Sequence, residues 1–433
     1  MPNQIVKLLL TLLIITSFIT TCSLESAGND DVFQEIVYVS TSGSDTNDGT
    51  KDSPVATLSK GLEILLADDL KELRIASGHY IVDSELLINR DHIDISGNYD
   101  ESFSNNSGET ILDGNGNNKI FIINNSSEIT LKNMTISNAD GYDGGGVVIH
   151  TSIKQSISNL KFIDNEAVNG AAISLYDSST EIEDCEFHSN QTSSSGGAIH
   201  LVDGTLNIRS CDFIENDADG WGGAIFSEES AELNIDASYF ESNYATGHGG
   251  AIRIRDGAIV INNTEFIKNS SDGDFNNGGA LSVLDSSATI TSNTFSENEV
   301  PSGVPNPGNG GALHIQATNE SILVSNNLIG GFNSGYSAVF ILYPDENDME
   351  FVDNTITYNK GVGIHISHAS PSFGNNIVSH NTDHGIEVYD SGVVFDNDII
   401  RYHNNYGLYV RSGDVPDTSS VTFTQNSAGN IGP

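Results

Sequence analysis

The chain of 433 residues carries 17 Lys and Arg against 59 Asp and Glu, a formal charge of −42 at pH 7. A field of that sign repels nucleic acid, anionic membrane surfaces and polyanionic substrates, and draws in cations. The length admits two or three ordinary domains or one elongated repeat domain, and one Trp and three Met among abundant Asn, Ser, Gly and Ile point to a β-rich exported chain.

In chain order, the first element is the apolar run LLLTLLIITSFI behind Lys7. It is too short and wrongly flanked for a stable membrane span, and it predicts a signal peptide over 1–22. The run closes on Ile19-Thr20-Thr21-Cys22 and resembles a lipoprotein signal with Cys22 as the lipidated residue. Thr21 departs from the small Gly or Ala usual before that cysteine, which leaves ordinary cleavage as the alternative. Residues 23–35 are polar and read as a tether. The expected location is therefore the cell surface or outer membrane, with a lipid anchor as the sole membrane contact, or else secretion.

The remainder, 36–433, reads as one repeat domain. Residues 36–130 form a cap and first coils, with the helix formers gathered in 56–73. Over 131–320 the pattern F-x-x-N followed by G-G-A-(I/L) recurs. Its copies are Phe187/Asn190 with 196–199, Phe213/Asn216 with 222–225, Phe240/Asn243 with 249–252, Phe266/Asn269 with 278–281 and Phe295/Asn298 with 310–313. An imperfect copy precedes them at Phe162/Asn165 with 170–173, and the Phe-to-Phe steps are 25, 26, 27, 26 and 29. Over 321–433 the period shortens: Asn359, Asn381, Asn404 and Asn426 lie 22, 23 and 22 apart.

A period of this size, made of short alternating apolar segments, predicts an all-β right-handed parallel β-helix of about fourteen coils spaced about 4.8 Å apart, behind a short N-terminal capping helix. Ile, Leu and Phe at fixed positions fill the core, glycines make the tight turns, and Asn amides bond along the stack. Cys185 and Cys211 hold the same place two residues before Phe187 and Phe213, so a disulfide and a buried pair of thiols both remain open.

The F-x-x-N and G-G-A-I repeat resembles that of chlamydial polymorphic membrane proteins, and the shorter later copies are similar to those of the pectate-lyase-like β-helix superfamily. YVSTSGSDTNDGTKDSPVATLSKGLEIL, at 38–65, is similar to the N-terminal cap of bacterial surface β-helices. The resemblance implies a surface protein. The sequence given stops at Asn430-Ile431-Gly432-Pro433 without a stretch for a C-terminal barrel, so self-translocation of the polymorphic-membrane type is not expected.

Gly247-His248-Gly249 is similar to a polygalacturonase signature. His248, however, fills a slot held by Ser195 and Trp221 in the two preceding coils, and the same loop ends in Asn277 and Asn309 in later ones. A slot that accepts Ser, Trp, His and Asn is loop decoration. The separated acid and base carboxylates that inverting hydrolysis needs are not found on the preceding coils. His368, His380, His384 and His403 read as turn and surface residues without paired metal-ligand spacing.

The strand after each G-G-A is expected to alternate, giving two columns that face solvent. The first runs Ser174, His200, Phe226, Arg253, Ser282, His314, His365, Glu387 and Tyr409. The second runs Tyr176, Val202, Glu228, Arg255, Leu284, Gln316, Ser367, Tyr389 and Arg411. Their aromatic, His and Arg members suit an extended glycan, while stacked rings and a Glu228–Arg255 pair would equally serve the surface itself. The ligand residues expected are His200, Phe226, Arg253, Arg255, His314, His365, Glu387, Tyr389, Tyr409 and Arg411. Two functions stay open: non-catalytic adhesion to a polysaccharide or a host or neighbouring cell surface, and a polysaccharide lyase or glycoside hydrolase. The sequence calls for no cofactor and leaves room for Ca²⁺ alone; nucleic acid is not an expected partner.

Overall fold

The computed structural model describes residues 35–272, 278–300, 310–317, 320–332, 336–342 and 349–433. The signal sequence, Cys22, nearly all of the tether, Asn277 and Asn309 lie outside the described residues.

The fold starts with a strand, Ile36–Val39, paired in parallel with Glu72–Ala76. Between them lies helix α1, Leu58–Ala67, which begins where the Thr57 hydroxyl accepts the Lys60 N–H. Leu58, Gly61, Leu62 and Leu65 share its buried face. A Cβ on Gly61 would stand 2.7 Å from Val39 Cγ2 and 2.9 Å from Leu73 Cδ1, so glycine is what lets the helix lie this close to the first coil. The helix covers the end of the stack, as the cap-like sequence led one to expect.

Residues 225–245 show what one coil contains. Ile225–Glu228, Glu232–Asp236 and Tyr239–Glu241 are its three main strands, followed by the two-residue strand Tyr244–Ala245. Each pairs in parallel with the same strand one coil on: Ile225 with Ile252, Leu233 with Ile259, Phe240 with Phe266 and Tyr244 with Ser270. Followed through the described residues, the first of these ladders steps from Leu86 through Phe121, Val147, Ile173, Ile199, Ile225, Ile252, Leu281, Leu313, Val339, Ile364, Ile386 and Leu408 to Ile431. The molecule is an all-β parallel solenoid of about thirteen turns.

The repeat residues do what their geometry requires. Phe162, Phe187, Phe213, Phe240, Phe266 and Phe295 stack in the core with ring centroids 4.5 to 5.0 Å apart. Asn165, Asn190, Asn216, Asn243, Asn269 and Asn298 are fully buried; each of the first five amides donates to the next Asn along the stack at 2.9 Å, and Asn298 donates to Phe266 O. The residue before each of these asparagines turns the chain in the left-handed region, as at Ser242 (φ 56°) and Glu297 (φ 54°). The Gly-Gly pair has two separate reasons. Gly222 has φ +63°, and a Cβ there would reach 2.1 Å from Ile225 O; one on Gly223 would reach 2.1 Å from Gly250 O of the next coil. Cys185 and Cys211 are free thiols, 1 % and 0 % exposed.

One expectation fails. Ser174, His200, Phe226, Arg253, Ser282, His314, His365 and Glu387 do not face solvent; all are at most 8 % exposed. The turn that leads into each strand folds back over them. A Cβ on Gly170 would sit 2.7 Å from both Ser174 Oγ and His200 N, and the Trp221 ring centroid lies 5.5 Å from that of Phe226. Alternation tells which side of a strand a residue takes, not whether a second layer covers that side. Ser367, in the second column, is buried at 8 % as well.

Candidate functional site

Beneath Trp221 the covered column runs beside the half-exposed one, two residues apart on the same strands. Ser195, Trp221 and His248 do share one slot: Gly196 N–H donates to Trp221 O and Gly222 N–H to His248 O, at 2.8 and 3.0 Å. The indole packs on Gly247, where a Cβ would come within 2.4 Å of Trp221 Cδ1. This ring is 37 % exposed. The guanidinium carbons of Arg253 and Arg255 lie 5.5 and 5.6 Å from its centroid. Trp221 is thus the centre of the patch, although the repeat shows it as one occupant of a variable slot.

Two polar chains run below. His200 Nε2 lies 3.1 Å from Glu228 Oε1, and Arg255 pairs with the other Glu228 oxygen. The hydrogen bond from His200, with the charges of His200 and Arg255, holds the Glu228 carboxyl below its ordinary pKa despite burial. Arg253 donates to Ser282 Oγ at 2.9 Å, and Ser282 Oγ lies 3.3 Å from His314 Nδ1. Burial and the neighbouring Arg255 bring Arg253 down to about 10; burial and Arg253 bring His248 down to about 4. Burial likewise keeps His314 neutral.

A second cluster surrounds Glu387. Tyr336 donates its hydroxyl to Oε2, His365 Nδ1 lies 3.6 Å from the same oxygen, and Arg411 Nη1 lies 3.5 Å from Oε1. Burial alone would raise this carboxyl, but the nearby His365, the hydrogen bond from Tyr336 and the charge of Arg411 hold it below the ordinary value. Tyr409 stacks on His384 at 4.3 Å, and Tyr389 meets His368 edge-on at 5.1 Å.

Six ladder steps separate the strand of Glu228 from that of Glu387, about 29 Å at the usual spacing. The expected ligand residues therefore form two groups. His200, Phe226, Arg253 and Arg255 belong to the first, while His365, Glu387, Tyr389, Tyr409 and Arg411 belong to the second; His314 joins them through Phe340, 5.5 Å away. The sequence reading passes over Phe340 and Tyr336 because their coil has Ser337 and Ala338 where the others have Gly-Gly-Ala. His384 and His403 are buried rather than on the surface, and burial brings His403 down to about 4. Among the described residues, no group of three or more His, Cys, Asp or Glu is arranged to hold a metal ion.

The model of the right-handed β-helix region matches residues 222–392 and 341–428, and that of the Chlamydia polymorphic membrane protein repeat matches 210–228. No curated protein sequence matches the chain. Among solved structures, tailspike protein 3 of bacteriophage CBA120 is 13 % identical over 95 % of this chain, with a TM-score of 0.45; the chain spans 64 % of the tailspike's length. Pectate lyase Pel9A is 15 % identical over 67 % of this chain and 78 % of its own, with a TM-score of 0.42. The surface adhesin PfbA of Streptococcus pneumoniae is 12 % identical over 78 % and 82 %, with a TM-score of 0.43. Similarity at this level says nothing of ligand or activity. By its ladders and its repeats, the chain is a right-handed parallel β-helix, and over 210–228 its repeat is similar to that of the chlamydial polymorphic membrane proteins.

Proposed function

We propose that this is an exported, lipid-anchored surface protein that makes non-catalytic contact with a neutral or cationic glycan through the Trp221 patch. The observation that supports this is Trp221 itself, a large ring left partly in solvent beside the Arg255 and Glu228 side chains. An indole face offers stacking to a sugar ring, and the ion pair beside it offers hydrogen bonds. Both carboxylates of the two clusters are held ionised by their partners, which suits fixed acceptors better than proton donors working near neutral pH.

Purified protein is passed over a polysaccharide panel scored for retention and for cleavage. Because Phe226 and Arg253 are buried, the informative variants are Trp221→Ala and Arg255→Gln. Retention by the wild type and its loss in both variants is expected. Cleavage of a panel member would replace this reading with the lyase or hydrolase one. The anchor is tested by labelling cells with a fatty-acid analogue, which should mark the wild type and not Cys22→Ser.

A further inference from the structure

We propose that the recess over Gly330 and Gly331 binds a single neutral pyranose ring, which takes the place of a side chain missing from an aromatic file. Ser296, Gly330, Thr357, Ser379 and Arg401 are successive partners in one parallel ladder. The residues that follow them, Glu297, Gly331, Tyr358, His380 and Tyr402, therefore also lie one above another. All five hold left-handed φ angles between 54° and 75°. The last three carry rings stacked at 4.7 and 4.8 Å, tilted by only 18° and 20°.

The file stops at Tyr358, which is 65 % exposed. One rung further on, at Gly331, there is no side chain. A Cβ on Gly331 would find its nearest neighbour, Glu297 N, at 3.5 Å, an ordinary contact. The Gly331 φ of +75° lies in the left-handed region that favours glycine, yet Tyr358, His380 and Tyr402 carry side chains in that region, at 58°, 54° and 61°. Glu297 closes the far side two rungs from Tyr358, about 9.6 Å along the stack, which leaves room for about one flat ring between them.

The recess there measures about 270 Å³ and is lined by Thr294, Ser296, Leu328, Gly330, Thr357 and Tyr358. Its wall is almost wholly apolar, with Leu328 46 % exposed, and hydroxyls stand at its margin. A pyranose has that same division, a C–H face for the Tyr358 ring and a rim of hydroxyls for Ser296, Thr294 and the Glu297 carboxylate. Glu297 and the −42 charge disfavour an acidic sugar. The site extends the glycan-contact reading but uses none of the Trp221 residues.

The probes are the methyl pyranosides of glucose, galactose, mannose and N-acetylglucosamine, with p-cresol as an aromatic arm, read by saturation-transfer NMR and titration calorimetry on the wild type. Gly331→Tyr fills the rung and Tyr358→Ala removes the platform; each should weaken binding of the responsive glycoside by about tenfold, the scale of a lost aromatic stack. Trp221→Ala should leave it unchanged. Gly331→Tyr puts a side chain at φ +75°, where some loss of stability is expected, so its melting curve and circular dichroism at the titration temperature are read beside the binding to show that the fold is kept. The proposal is overturned if no glycoside binds, if p-cresol binds more tightly than every glycoside, or if Gly331→Tyr binds like the wild type. Binding lost in Trp221→Ala alone would place the sugar at the Trp221 patch, sinking this inference and leaving the proposed function standing.

Discussion

Asn216 and Asn243 are joined twice: both the side-chain amide and the backbone N–H of Asn216 donate to Asn243 Oδ1, at 2.9 and 3.0 Å. Asn216 itself accepts the corresponding pair from Asn190 and donates to Phe187 O. Asn216→Ala would leave several buried groups unpaired at once, and a cost of about 3 kcal/mol or more is expected from urea unfolding. A loss under about 0.5 kcal/mol would mean that water enters the turn and replaces the ladder.

Phe213 lies between Phe187 and Phe240, at 4.5 and 4.6 Å, and is fully buried. Phe213→Ala should cost about 3–5 kcal/mol, and Phe213→Leu clearly less. Equal losses from the two would point to ring stacking rather than filled volume as the source of stability.

His403 takes the place of an asparagine further along the same file, accepting from Asn381 N–H through Nδ1. Its folded-state pKa of about 4 lies below the ordinary 6.5. Between these values the unfolded chain binds a proton that the folded one does not, so stability falls as the pH drops from 6.5 toward 4, by up to about 3 kcal/mol from this residue. His403→Asn keeps an acceptor without titrating. It should match the wild type at pH 7 and lose less stability by pH 4.5; parallel pH profiles would refute the assignment.

The Cys211 thiol is pushed up by its hydrogen-bonded neighbour Cys185 and by burial, which keeps it protonated. A thiol reagent should label neither cysteine in the native protein and both in urea. Fast labelling of the native state would show the coils opening there.

How much of this was legible differs by residue. Ile225, Phe213 and Asn216 sit at fixed steps in copy after copy, and each has one role in the repeat, so core and turns could be read directly. Phe226 and Arg253 also sit at fixed steps, but their burial depends on Trp221 and the Gly-Gly turn packing over them, a tertiary relation absent from a period of two. Gly331 and Phe332 were passed over for a different reason. Phe332 stands where the file has an asparagine and brings no side-chain amide, only its own N–H donating to Asn359 Oδ1 at 3.4 Å, so the repeat pattern breaks at the very coil where the recess opens.

The bond from Gly223 N–H to Gly249 O and the asparagine file share a direction: like the strand ladders of the described residues, they join one coil to the next along the long axis. A pull on the two ends of the solenoid would therefore load these bonds one coil at a time, as a zipper is opened, rather than many in parallel. The expected response in a single-molecule stretching experiment is a low, nearly flat force with coil-sized increments, so that a solenoid built this way would lengthen under tension before it let go.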